Sequence, residues 1–250
     1  MNKKIIFSII ATLGLSAPAF AAPVIDFSTL SGGSPLTFNN LETDTATLGG
    51  VTIDGFVYTG GTTYVTDQGF IWLRNNSNDH GLGYCSEGTD CGPKASTGLG
   101  DFNELSNNNK FEVIRLTLPT GKAWSDIFVS SLDTGGSNNN ETGTLYWSNT
   151  ANQNLSMLSG FTFSHTSNTS LGGSNEGSIL LPAGFDVNAK YLFFRAGPNT
   201  DSINPNNNDY LVWGVSVTAV PEPEIYAMMG IGLALMGFVA RRRQGQAAAA

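Results

Sequence analysis

The feature that most restricts the fold is a two-residue alternation of apolar and polar side chains. It recurs between turn clusters from residue 22 to residue 220. From Glu112 to Leu118, Val113, Arg115 and Thr117 point one way and Ile114, Leu116 and Leu118 the other. Such a period belongs to half-buried strands, because successive side chains leave a strand on opposite faces. Further stretches of this kind are Val24 to Thr29, Leu36 to Asn39, Gly69 to Leu73, Asp126 to Leu132, Thr144 to Trp147, Phe161 to Ser164, Ser178 to Leu181, Tyr191 to Arg195 and Tyr210 to Val220. In the last, Leu211, Trp213, Val215 and Val217 share one face. About ten short strands with no helical period between them predict an all-β antiparallel β-sandwich of the jelly-roll kind. Thirty glycines and 13% charged residues exclude a coiled coil or helical bundle.

Turn chemistry separates the strands. Asp54-Gly55, between Val51-Thr52-Ile53 and Phe56-Val57-Tyr58, reads as a hairpin turn. Three polar, Asn- and Gly-rich segments read as long loops: Asn75 to Asn109, which holds Gly81-Leu82-Gly83, then Thr134 to Gly143 and Gly197 to Asn208. No linker or fixed-period repeat divides the stretch, so residues 22–220 form one domain, long enough to bury a full sandwich core.

The two ends follow another pattern. Lys3 and Lys4 precede an apolar run from Ile5 to Leu15, and Ala19 and Ala21 supply the small residues that signal peptidase accepts. The run is too short to span a bilayer, so residues 1–21 read as a cleaved secretory signal. At the other end, Pro221-Glu222-Pro223 leads into an uncharged stretch from Ile225 to Ala240, closed by Arg241, Arg242 and Arg243, with residues 244–250 as a short tail. A helix of that stretch is about 24 Å long. Bilayer thinning and snorkelling of Tyr226 and the arginines extend its reach across the hydrocarbon core. The arginines favour the cytoplasmic side, which puts the body outside the membrane.

This tripartite end resembles the PEP-CTERM sorting signal of Gram-negative bacteria, part by part, over about 25 residues. The resemblance implies that exosortase, an integral membrane protease, recognises and cuts the segment. It further implies passage of the protein to the cell surface or an exopolysaccharide matrix. The cysteine and histidine that perform the cut belong to exosortase and not to this chain.

Charge and chemistry-bearing residues bound what the body does. Twelve basic against twenty acidic residues give −8, and residues 22–240 keep seven of the bases and all the acids, a balance of −13. That excludes nucleic acid as a partner and opposes acidic polysaccharide unless divalent cations bridge it. Cys85 and Cys91, the two cysteines, are expected to form a disulfide outside the cytoplasm that pins the long loop. A metal site with His80 would lack further soft ligands. Asp101, Asn103 and Glu104 bring oxygen donors of the kind calcium prefers, without a calcium-loop motif. His165 closes a strand, and no Gly-x-Ser-x-Gly elbow or His-Glu-x-x-His helix accompanies the histidines. Trp72, Trp124, Trp147 and Trp213 are candidate sugar platforms or, lying in or beside strands, core residues. The expectation is a non-enzymatic, surface-sorted structural or matrix protein without cofactor. A lectin-like carbohydrate-binding module and a secreted hydrolase are the alternatives.

Overall fold

The computed structural model describes residues 24–27, 45–65, 69–75, 80–86, 105–106, 111–132, 141–171, 175–197, 209–220 and 227–238. The fold is two antiparallel sheets packed face to face, followed by a helix over 227–238 (α1). The strands are β1 (Val24–Asp26), β2 (Thr45–Leu48), β3 (Val51–Gly60), β4 (Thr63–Val65), β5 (Gly69–Asn75), β6 (His80–Ser86), β7 (Leu105–Ser106) and β8 (Phe111–Thr117). There follow β9 (Lys122–Ser130), β10 (Thr142–Ser148), β11 (Phe161–Ser164), β12 (Thr169–Leu171), β13 (Gly177–Ile179), β14 (Tyr191–Ala196) and β15 (Asp209–Ala219). Sheet A runs β12-β13-β9-β15-β6-β5, with β1 and β7 also on β15. Sheet B runs β11-β10-β14-β8-β3-β2, with β4 also on β3. The chain changes sheet between β1 and β2, β4 and β5, β7 and β8, β8 and β9, β9 and β10, β11 and β12, β13 and β14, and β14 and β15.

Alternation decides what lies between the sheets. Ile53, Ile114, Leu116, Leu145, Leu192 and Phe194 from sheet B meet Ile71, Leu82, Tyr84, Ile127, Val129, Val212 and Val215 from sheet A in one core. Phe163 of β11 and Tyr210 of β15 pack edge to face across the gap, centroids 5.3 Å apart. Each such fully buried side chain stabilises by about 1.5–3 kcal/mol.

Asp54-Gly55 is not a turn. β3 runs unbroken through it, with Asp54 opposite Arg115 and Gly55 opposite Ile114. The glycine is there for close packing, since a Cβ on Gly55 would lie 2.2 Å from Cδ2 of Tyr84 in the facing sheet. The hairpin turn is instead at Gly49-Gly50, φ 57° and 83°, as a type I′ turn requires.

The segment expected to be one long loop after Asn75 contains two strands. β6 pairs with β5 along its whole length, from Gly69 opposite Ser86 to Asn75 opposite His80. β7 pairs with the start of β15. The expected face of β15 also changes. Register shifts between Val212 and Gly214 and between Ser216 and Val217 break the alternation. Tyr210 and Val212 therefore reach the core on one side of the first shift and Val215 and Val217 beyond it, without Leu211 and Trp213.

Candidate functional site

Three places carry chemistry: the tail, the His80 cluster on sheet A and the outer face of sheet B.

The tail holds the helix 227–238, twelve residues and about 18 Å long. Ala, Met, Leu and Ile are good helix formers or tolerated ones, and the helix contains no proline. Its large side chains are all exposed, from Met229 and Ile231 to Leu235 and Phe238. No described helix is long and apolar enough to cross a membrane. Of the expected span from Ile225 to Ala240, residues 227–238 are described and are helical. Pro221, Glu222, Pro223, Arg241, Arg242 and Arg243 lie outside the described residues, as does the signal segment 1–21.

On sheet A, Nδ1 of His80 contacts Oε1 of Glu176, both side chains half-buried. The His80, Phe128 and Trp213 rings lie together, with Trp213 6.2 Å from His80 and 5.9 Å from Phe128. The Ser130 hydroxyl bonds the backbone of His80. Its Oγ accepts from the His80 N–H at 3.1 Å and donates to the His80 carbonyl. The hydroxyl is therefore turned to the main chain and not to the imidazole, and the cluster lacks the nucleophile–base contact of a hydrolase.

The other expected site residues are scattered. Cys85 belongs to β6, while Cys91 lies outside the described residues; no disulfide is present among those described. Asp101, Asn103 and Glu104 also lie outside, and no group of three metal-ligating side chains occurs among the described residues. His165 is half-buried beyond β11, with an unpartnered Nδ1. Trp124 is a core residue whose indole N–H donates to the Ala189 carbonyl at 2.8 Å. Trp147 packs against the core and Phe185, 5.1 Å away. The backbone of Trp72 lies in β5. Trp124 is buried and Trp147 and Trp213 are half-buried, so these three do not form an exposed row.

What the sequence does not reveal is the aromatic outer face of sheet B. The register lines up Asp54, Arg115, Phe193 and Tyr146 in one row across β3, β8, β14 and β10. The next row is Phe56, Val113, Arg195 and Thr144. Nη2 and Nε of Arg115 donate to Oδ2 of Asp54 at 2.8 and 3.2 Å, and Thr45 donates to Oδ1 at 2.7 Å. The guanidinium also lies over Phe56, 4.6 Å from the ring centroid. The connection 149–160 folds back over this half of the face. Leu155, in a single 3-10 turn (Leu155–Met157), packs with Tyr58, Val113 and Phe193. Arg115 donates to Ala151 O, Tyr64 to Gln153 O and Tyr58 to Asn154 Oδ1. Burial, together with neighbouring Tyr58, pushes the Tyr64 phenol well above its ordinary range, and burial does the same to Tyr210.

On the other half of the face Val113 and Thr144 are buried, and exposure among the described residues lies at Phe111 and Thr162. Arg195 lies over Phe111 with its guanidinium carbon 3.9 Å from the ring centroid. Phe111 is 45% exposed, and Thr162, beyond Thr144 in the same row, is exposed.

Comparison with protein families identifies a PEP-CTERM protein-sorting motif at residues 219–243. No curated protein and no solved structure matches the chain.

Proposed function

Because the chain carries a PEP-CTERM protein-sorting motif, which implies export, processing by exosortase and a cell-surface or extracellular destination, we propose that it is a non-catalytic structural protein of a Gram-negative surface or matrix. Signal peptidase removes residues 1–21, the segment 221–243 tethers the precursor in the membrane until exosortase cuts it, and residues 22–220 are the delivered body. That body is a jelly roll in this reading, supported by the repeated change of sheet along the chain. A Cys85–Cys91 disulfide formed after export would pin the stretch that follows β6.

The observation that carries the reading is the motif at 219–243, which includes a helix apolar all round with its large side chains outward. A helix of that kind is matched to lipid or to a protein groove and not to water. The Arg241 to Arg243 cluster supplies the cytoplasmic stop. Replacing Arg241, Arg242 and Arg243 by Gln tests this in cells. The expected result is accumulation of uncut or misinserted precursor in the membrane fraction. Normal release to the surface would refute the reading.

A lectin-like module remains the second reading, favoured by the exposed ring of Phe111 on the outer face of sheet B. No described cluster has hydrolase geometry to favour the third.

A further inference from the structure

We propose that the end of the sandwich from which the tail departs is a docking surface for exosortase, continuous with the sorting motif. The inference rests on the reading of the tail as an exosortase substrate and adds to it a contact on the folded body. The first argument is how close the motif lies to the sheets. It spans residues 219–243, and its first residue is still in a strand. Ala219 of β15 pairs with Lys122 of β9, and the Val220 N–H donates to the Gly121 carbonyl at 2.9 Å. Consecutive Cα atoms are about 3.8 Å apart, so Pro221, Glu222 and Pro223 lie within about 11 Å of Val220. A folded unit of about 100 residues already has a radius of gyration of about 13 Å. A protease that holds the Pro-Glu-Pro element must therefore meet the end of the sheets.

The second argument is the form of that end. Tight turns close it: Gly49-Gly50 and the turn before β9 hold glycines at φ 57°, 83° and, for Gly121, 72°. A Cβ on Gly50 would lie 3.5 Å from the Pro119 ring, so the two turns abut. The stretch before β14 completes the surface. There the Val187 carbonyl accepts from the Trp124 N–H at 2.8 Å and the Lys190 carbonyl from the Leu118 N–H at 2.9 Å. The longer connections 87–104, 131–141 and 197–208 start at the opposite end, where β6, β9 and β14 finish. Short turns at the tail end leave room for a close approach, and long ones would obstruct it. Val187 and Val220 lie on either side of the start of β9, each 42% exposed. Apolar side chains exposed beside the point where a partner must arrive are suited to burial against it.

The test follows cleavage of the full chain in cells that carry exosortase, by pulse-chase and intact mass. Val187→Glu is expected to slow cleavage about threefold or more, the worth of burying the exposed part of a valine. Met157→Glu places the same charge on a side chain that is 78% exposed over sheet B, and is expected to leave cleavage unchanged. Both variants are expected to melt like the parent. A Gly-Ser spacer of about fifteen residues after Val220 frees the motif from the body and is expected to abolish the effect of Val187→Glu. p-Benzoylphenylalanine in place of Val187 is expected to crosslink to an exosortase whose cysteine nucleophile has been replaced, and it decides the matter if Val187→Glu does not fold. Cleavage of Val187→Glu at the parent rate, equal slowing by Met157→Glu, slowing that survives the spacer, or crosslinks to lipid alone would each overturn the proposal while the sorting reading stands. A parent chain left uncut in the presence of exosortase would instead overturn the sorting reading, and the proposal with it.

Discussion

The body and the tail use the same kind of side chain in opposite ways. Leu145, Leu192 and Phe194 are fully buried between the sheets, whereas Leu235 and Phe238 of the helix are 61% and 66% exposed. In the body, apolar residues fall on one side of each strand and find a facing sheet. In the tail they cover the whole circumference of a helix whose large side chains are exposed among the described residues. An apolar surface left without a partner is unstable in water. The contrast teaches that the same residue types are buried where a facing sheet meets one side of a strand and left outward where they cover a helix on every side.

Substitutions sharpen this contrast when taken in order of size. Phe194→Ala empties a core position and is expected to cost about 3–5 kcal/mol. In a domain of this size that lowers the melting temperature by about 10 °C. Leu235→Ala is expected to move the same thermal transition by less than about 1 °C. Thermal melts of both variants in detergent check the pair. If Leu235→Ala destabilised the body as Phe194→Ala does, the separation of body and tail would be broken.

A smaller effect is expected at the Arg115 pair, where the side chains are 14% and 11% exposed. Arg115→Met leaves Asp54 with the Thr45 hydroxyl and removes one of the bonds that hold the connection 149–160 on the sheet. The expected loss is about 2 kcal/mol in urea unfolding, part of it recovered when Asp54→Leu is added. No recovery in the double variant would show that the pair acts only by holding the connection.

The smallest effect is in alkali. Tyr64 and Tyr210 are raised above the ordinary phenol value by burial. The unfolded chain therefore releases these protons first, and the folded state loses stability once the pH passes about 10. Below that pH the contribution is intact. Urea unfolding is expected to be level from about pH 8 to 10 and weaker above, with a shallower fall in Tyr210→Phe. An unchanged fall in that variant would assign the alkaline loss to other groups.

The strand pattern was legible where burial is one-sided. β11 matches its sequence boundaries, β14 runs one residue further, and β8 starts and ends one residue earlier than expected. It failed where the physical cause is remote. Asp54-Gly55 looks like a turn, yet Gly55 is small because Tyr84 of the other sheet needs the room. β6 is hidden by its glycines, one of which, Gly81 at φ 136°, lies against the backbone of Val212 and Trp213. The β15 face is mis-phased because a bulge leaves no mark in composition.

The functional tail was legible because its information is linear, with three blocks in a fixed order. The outer face of sheet B was not. Its rows join residues of strands far apart in the chain, and its cover is fixed by contacts such as Tyr64 to Gln153 across 89 positions.

The central claim is that the tail is a membrane-borne sorting segment on a secreted body. Its most direct test is fractionation of cells with and without exosortase, with the chain followed by intact mass. The account predicts a membrane-bound chain that retains Arg241 to Arg243 when exosortase is absent, and a shorter, released chain when it is present. A full-length chain soluble in the cytosol under both conditions would contradict it.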